Sequence, residues 1–201
     1  SFEIIQRAVE IGMTSVMYDG SRGKYEDNLM VTKRVVDYCH EKGIDVQAEL
    51  GNVPYLKEVG ISDIDWDKYM TDPDQAKNFV EETGIDALAV AVGNAHDFAK
   101  ERPVPDYERL ERINEKLNIP LIMHGASDWE EEKVKNAVKR GISCFNVDTA
   151  SRVAFITSLV KTISEAKELS YDVRSHLGRA REKVQETVEH KMDIFGSAGK
   201  L

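Results

Sequence analysis

Cysteine is scarce in this chain: Cys39 and Cys144 are the only two among 201 residues, and neither lies in CxxC spacing. A structural disulfide is therefore not expected, and two buried free thiols suit a reducing cytoplasm. Long apolar runs are missing too. None approaches the ~18–20 residues needed to span a bilayer, and no signal-peptide pattern opens the sequence. Positive charge is outweighed, with 27 Lys and Arg against 36 Asp and Glu for a net charge of −9. An acidic chain without a basic stripe is a poor partner for nucleic acid or anionic membrane. What is present, 41% hydrophobic and 31% charged residues, describes a soluble, cytoplasmic, globular protein. The length suits one domain, residues 1–201, with a sizeable core.

Apolar–polar alternation is also lacking in the strand-like segments. "TSVMY" (14–18), "DVQAEL" (45–50), "ALAVAV" (87–92), "PLIMH" (120–124) and "SCFNV" (143–147) are near-continuous apolar runs, which predict a parallel sheet buried on both faces. Helical patterns separate them. One covers 26–42, with Leu29, Val31, Val35, Val36 and Cys39 at helical spacing, and another covers 73–83, where Asp72 can cap and Pro73 suits the first turn. Others cover 106–117, 128–141, about 149–166 and about 172–192, and "SFEIIQRAVEIG" at the start reads as a helix. Repeated strand–helix units with short loops predict a right-handed βα arrangement. A doubly wound dinucleotide fold would show GxGxxG after its first strand, and no such motif occurs. Polar residues instead follow almost every strand, the pattern of the active face of a (β/α)8 TIM barrel. Five strands do not close a barrel of eight, so the expectation is strands 4 to 8, with the N-terminal three βα units missing.

The candidate chemistry sits at those strand ends. His96 and His124 each follow an apolar strand. On neighbouring strands, ~5 Å apart, they could share a metal such as zinc, which takes three protein ligands and one open position in catalytic sites. The bland reading is a pair of histidines bonded to loop backbone, and no local motif such as HExxH decides between the two. His40, His176 and His190 sit in helical patterns and read as surface residues. "HGAS" (124–127) and "NVDT" (146–149) close the last two strands just before helices, where free N–H groups and the helix dipole favour an anion; alternatively Asn146, Asp148 and Thr149 merely cap a helix. Asp19 and Glu49 at strand ends could bind metal, orient a ligand or carry a proton, or be solvated loop carboxylates. The glutamates at 130–132 need no function, because a helix's first turn favours negative charge.

"TSVMYDGS", "VQAELG", "LAVAVGNAH", "PLIMHGAS", "FNVDT" and the terminal "FGSAGKL", in this order, resemble the class II, zinc-dependent ketose-bisphosphate aldolases, and are most similar to the fructose- and tagatose-bisphosphate members. The resemblance implies a (β/α)8 barrel and a lyase of carbohydrate metabolism. Such an enzyme cleaves a ketose bisphosphate into dihydroxyacetone phosphate and an aldehyde through a zinc-stabilised enediolate, and acts as a cytoplasmic homo-oligomer. It implies that His96 and His124 are zinc ligands and that Gly125, Ser127, Asn146, Asp148 and Thr149 hold phosphate-bearing substrate. Asp19 and Glu49 become carboxylates of the catalytic region, with a monovalent cation near the phosphate site as a further expectation.

Three departures from the family pattern stand out. Its "HLDHG" segment, with the proton-transferring aspartate and the first zinc histidine, would lie before Ser1. "NVPYLKEVG" (52–60) replaces a Gly-Gly-x-Glu-Asp stretch, with Glu58 as a substitute acid. Asp97 stands where a glycine follows the zinc histidine. The rival reading is a non-catalytic sugar-phosphate-binding or assembly subunit with the same fold, and a lesser one is a metal-dependent isomerase on that barrel.

Overall fold

A computed structural model of the chain describes residues 1–56, 65–96, 104–166 and 172–200. The order is α1 (Phe2–Glu10), β1 (Ser15–Tyr18), α2 (Tyr25–His40), β2 (Asp45–Leu50), a 3-10 turn (Trp66–Lys68) and α3 (Pro73–Thr83). Then come β3 (Ala87–Val90), α4 (Tyr107–Lys116), β4 (Leu121–Met123), α5 (Glu131–Val138), β5 (Ile142–Phe145), α6 (Thr149–Ser164) and α7 (Val173–Phe195). All five strands pair in parallel in the order β1-β2-β3-β4-β5. The element order and the unbroken strand order are those expected for consecutive units of a (β/α)8 barrel.

Local signals explain where elements begin and stop. Asp72 Oδ1 accepts from the backbone N–H groups of Asp74 (2.9 Å) and Gln75 (2.8 Å), Pro73 occupies the first turn, and Gly84 ends α3 in the left-handed conformation at φ 71°. Asp72 and Gly84 satisfy helix-end groups that would otherwise lack partners, and Pro73 removes one orphan donor while presetting φ. The helix expected from Asp128 starts only at Glu131: Trp129 is buried, and its N–H donates to Ala126 O at 3.1 Å, which holds it in a turn.

Register divides the sheet into two unlike faces. Val46, Ala48 and Leu50 of β2, Leu88 and Val90 of β3, and Leu121 and Met123 of β4 face the helices and join the main core with Val35, Phe79, Leu110, Ile113 and Val134. The other face carries the row Glu49–Ala89–Ile122–Cys144. Burial on both faces was expected; here Gln47 and Ala87 are half-buried on the second face. Cys144, expected to be buried, is exposed, because β5 is the last strand of the sheet among the described residues and its register with β4 shifts at Leu121/Ile122. Cys39, by contrast, is fully buried in α2. No helix among the described residues is long and apolar enough to cross a membrane.

Candidate functional site

Strand parity brings the first two functional side chains together. Glu49 pairs across β3 with Ala89, which pairs with Ile122, and His124 lies two residues beyond Ile122 and so on the same face. The small Ala89 leaves room for both side chains. Glu49 is 3% exposed, and three donors surround its carboxylate. Oε2 lies 3.0 Å from His124 Nδ1, while Oε1 accepts from Ser21 Oγ at 3.0 Å and from Val53 N at 3.3 Å. Asn28, itself buried, donates through Nδ2 to the Glu49 carbonyl at 2.9 Å. Asp19 is exposed and stands one step back: its Oδ1 accepts from Ser21 N at 2.9 Å, fixing the turn that aims Ser21 at Glu49.

These contacts select one imidazole tautomer. An acceptor-only carboxylate at Nδ1 requires the proton there, which in the neutral ring leaves Nε2 unprotonated and able to accept. Asn146 agrees: its Nδ2 donates to His124 Nε2 at 3.0 Å, while its Oδ1 accepts from Cys144 Sγ at 3.6 Å. Partial burial of that sulfur pushes the Cys144 thiol pKa up, so it stays a donor.

His96 reaches the same place by another route. The chain leaves β3 through Gly93, at φ 94°, and His96 N donates to Pro54 O at 2.9 Å, making a parallel bridge between Tyr55 and His96. The Tyr55 ring stacks on the imidazole, with centroids 4.5 Å apart and planes at 28°. His96 and His124 rings lie 6.4 Å apart at 41°. Gly125 locks the two loops together. Its φ is 65°, and a Cβ there would stand 2.3 Å from Ala95 O, so no other residue fits without displacing backbone.

The donor chemistry suits zinc: two imidazoles, one with its Nε2 kept unprotonated by a carboxylate bound to the opposite ring nitrogen, the usual support of a histidine ligand. Asn146 holds that lone pair in this structure, and a metal would replace it. Among the described residues no group of three His, Cys, Asp or Glu stands at metal-binding spacing.

Beside the histidines is a pocket of about 130 Å³, lined by Tyr55, His96, His124, Gly125, Ser127, Asn146, Asp148, Thr149 and Arg152. It has room for a phosphate-sized group. Ser127 is 8% exposed, and Thr149 opens α6, whose cap residue Asp148 makes no side-chain cap hydrogen bond. Asp148 Oδ2 instead pairs with Arg152 Nη2 at 2.6 Å. The helix end and its dipole put positive potential into this corner, while the Arg152 charge is balanced by its ion pair with Asp148.

Every expected site residue except Asp19 lines the pocket or, like Glu49, binds a residue that does. Asp97 and Glu58 fall outside the described residues. Sequence reasoning missed Arg152 and Tyr55. Arg152 had a signal, since it follows Asp148 by four residues on a helix; Tyr55, in a loop without periodicity, had none. His40 is half-exposed, as a surface residue would be, and pairs with Asp86 at 2.8 Å.

Comparison with known proteins covers the whole chain. The family profile for class-II fructose-bisphosphate aldolase matches residues 1–200. A fructose-bisphosphate aldolase of Staphylococcus aureus (strain Mu50) is 36% identical over 200 residues, covering 100% of this chain and 68% of the relative. Among solved structures, the YdjI aldolase of Escherichia coli K12 is 35% identical with a TM-score of 0.80, matching 100% of this chain and 66% of its own. A protein from Coccidioides immitis described as a putative fructose-1,6-biphosphate aldolase is also 35% identical, with a TM-score of 0.83 over 69% of its length. The chain thus spans about two thirds of the relatives it matches, and its strands correspond to a run of five in their (β/α)8 barrels. By sequence and by fold, this chain belongs to the class-II fructose-bisphosphate aldolase family.

Proposed function

We propose that this chain carries the zinc-holding and phosphate-holding part of a class II aldolase site, cleaving a ketose bisphosphate such as fructose- or tagatose-1,6-bisphosphate to dihydroxyacetone phosphate and an aldehyde. The observation that carries the reading is the Glu49–His124 pair, which leaves an unprotonated Nε2 beside a pocket shared with His96 and an anion-favouring helix end.

His96 and His124 would hold the metal, joined by a ligand from outside the described residues. When bound, zinc supplies positive charge that favours negative charge developing on the substrate's carbonyl oxygen. Glu49 keeps the His124 proton on Nδ1 and orients the ring; Ser21 and Val53 keep Glu49 in place. Ser127, Thr149 and the first N–H groups of α6 would anchor a phosphate, beside the Asp148–Arg152 ion pair. The anchored end would then hold the scissile bond in register and lower the entropic part of the barrier. Asn146, donating toward His124, stands where it can also donate to a substrate oxygen. The reading extends to a homo-oligomer, supported by Val153, Ile156, Val160 and Ile163, exposed at three- and four-residue spacing on α6.

The test is aldol cleavage of both bisphosphates with added zinc, in the full-length protein that carries this chain and in its His124→Ala variant. Zinc-dependent cleavage lost in the variant is the expected result. Phosphate-sugar binding without cleavage by the wild type would support the non-catalytic binding subunit instead.

A further inference from the structure

The replaced loop after β2 is built rather than merely tolerated. Val53 and Leu56 are 2% and 7% exposed, pinning the backbone on both sides of Tyr55, whose own side is 40% exposed. Asn52 N donates to Tyr69 O at 2.8 Å and Val53 N to Glu49 Oε1, so the segment is tied both to the following turn and to the site carboxylate. Such anchoring presents the Tyr55 ring at the pocket wall instead of in the core.

We propose that Tyr55 is a positioning residue for His96, with its ring face holding the imidazole plane beside His124. The proposal rests on the reading of His96 as a zinc ligand. The torsion that turns an imidazole about its Cβ–Cγ bond is broad, so backbone placement alone leaves the ring plane loosely set. The parallel bridge brings Tyr55 and His96 side by side, and the 4.5 Å, 28° stack restricts that rotation. Arg22 reinforces the arrangement, its guanidinium carbon lying 5.3 Å from the Tyr55 ring centre, within cation–π range. The ring face does this work and the hydroxyl does not. Pre-setting the ligand ring means less freedom is lost when metal binds, so removing the stack lowers affinity without removing a ligand.

The experiment is a zinc titration of the full chain by competition with a chromogenic chelator, in wild type, Tyr55→Phe, Tyr55→Leu, Tyr55→Ala and His96→Ala, with circular dichroism on each. Tyr55 and His96 both lie outside the hydrophobic core, so all four variants are expected to fold, which the circular dichroism checks. His96→Ala loses more than tenfold in affinity; Tyr55→Leu and Tyr55→Ala lose about 2- to 10-fold, the range of one aromatic stack; Tyr55→Phe stays within about twofold of wild type. With cobalt in place of zinc, the visible band of Tyr55→Leu shifts and that of Tyr55→Phe does not. Wild-type affinity in Tyr55→Leu and Tyr55→Ala, while His96→Ala fails, would overturn the positioning role and leave the zinc assignment standing. A loss in Tyr55→Phe equal to that in Tyr55→Ala would overturn it as well, by pointing to the hydroxyl. Undiminished affinity in His96→Ala would refute the zinc assignment itself, and the proposal with it.

Discussion

The two faces of the sheet are made of the same five strands and do opposite things. On the helix side, Val46, Leu88, Val90, Leu121 and Met123 are all fully buried, and every group is apolar. Near the strand ends, the other side holds a buried carboxylate, a small alanine and an imidazole in one neighbourhood, with the exposed Cys144 at the margin. One face supplies hydrophobic stabilisation; the other accommodates charge by surrounding it with donors. Fold and function are thereby separable by residue parity, a division that mutation can test.

The largest effect belongs to the apolar face. Leu88→Ala should lower stability by about 2–5 kcal/mol, the cost of an unfilled core cavity. Urea unfolding measures this, and the zinc affinity of the molecules that stay folded should be unchanged. Glu49→Gln should weigh the other way: a smaller stability loss of about 1–3 kcal/mol for the disturbed buried hydrogen bonds, with zinc affinity down about 10- to 100-fold, as befits the partner of a histidine ligand. Equal damage to both properties by either variant would erase the distinction between the faces. Next, Ser127→Ala combined with Thr149→Ala should raise the substrate KM by about 10- to 100-fold, at roughly 1 kcal/mol or more for each hydrogen bond to a charged group. An unchanged KM would put the anion elsewhere.

How much of this was legible in the sequence varies with the kind of signal. β2 and α3 fall where the apolar run and the Asp72–Pro73 start signal put them, because caps and burial are local properties. His96 and His124 were legible as strand-end residues. Their supports were less so. That Ser21 donates to Glu49, and Glu49 holds His124, depends on register between strands far apart in sequence. The exposure of Cys144 was hidden for a related reason: a strand pattern does not reveal that its strand ends the sheet. Tyr55 enters the site only through a bridge to His96, which no periodicity records.

The smallest effect lies far from the site and serves as a control. Asp106 caps α4: although burial raises its pKa, hydrogen bonds from Arg109 N (2.9 Å) and Nε (3.0 Å) hold it below the ordinary aspartate value. A carboxylate with a lowered folded-state pKa stabilises fully above its unfolded pKa and loses that contribution as pH falls through the folded one. Asp106→Ala should therefore cost about 1 kcal/mol at neutral pH. The difference from wild type should shrink in acid below the usual aspartate range, with zinc binding unaffected.

The central claim, that Glu49 holds His124 with its proton on Nδ1 and its Nε2 unprotonated for a metal to take, is most directly tested by nitrogen-15 NMR of the imidazole ring during a zinc titration. The expected result is a protonated Nδ1 and an unprotonated Nε2 before zinc, with Nε2 alone moving as zinc is added and both signatures lost in Glu49→Gln. A proton on Nε2, or a His124 ring that zinc leaves unmoved, would contradict it.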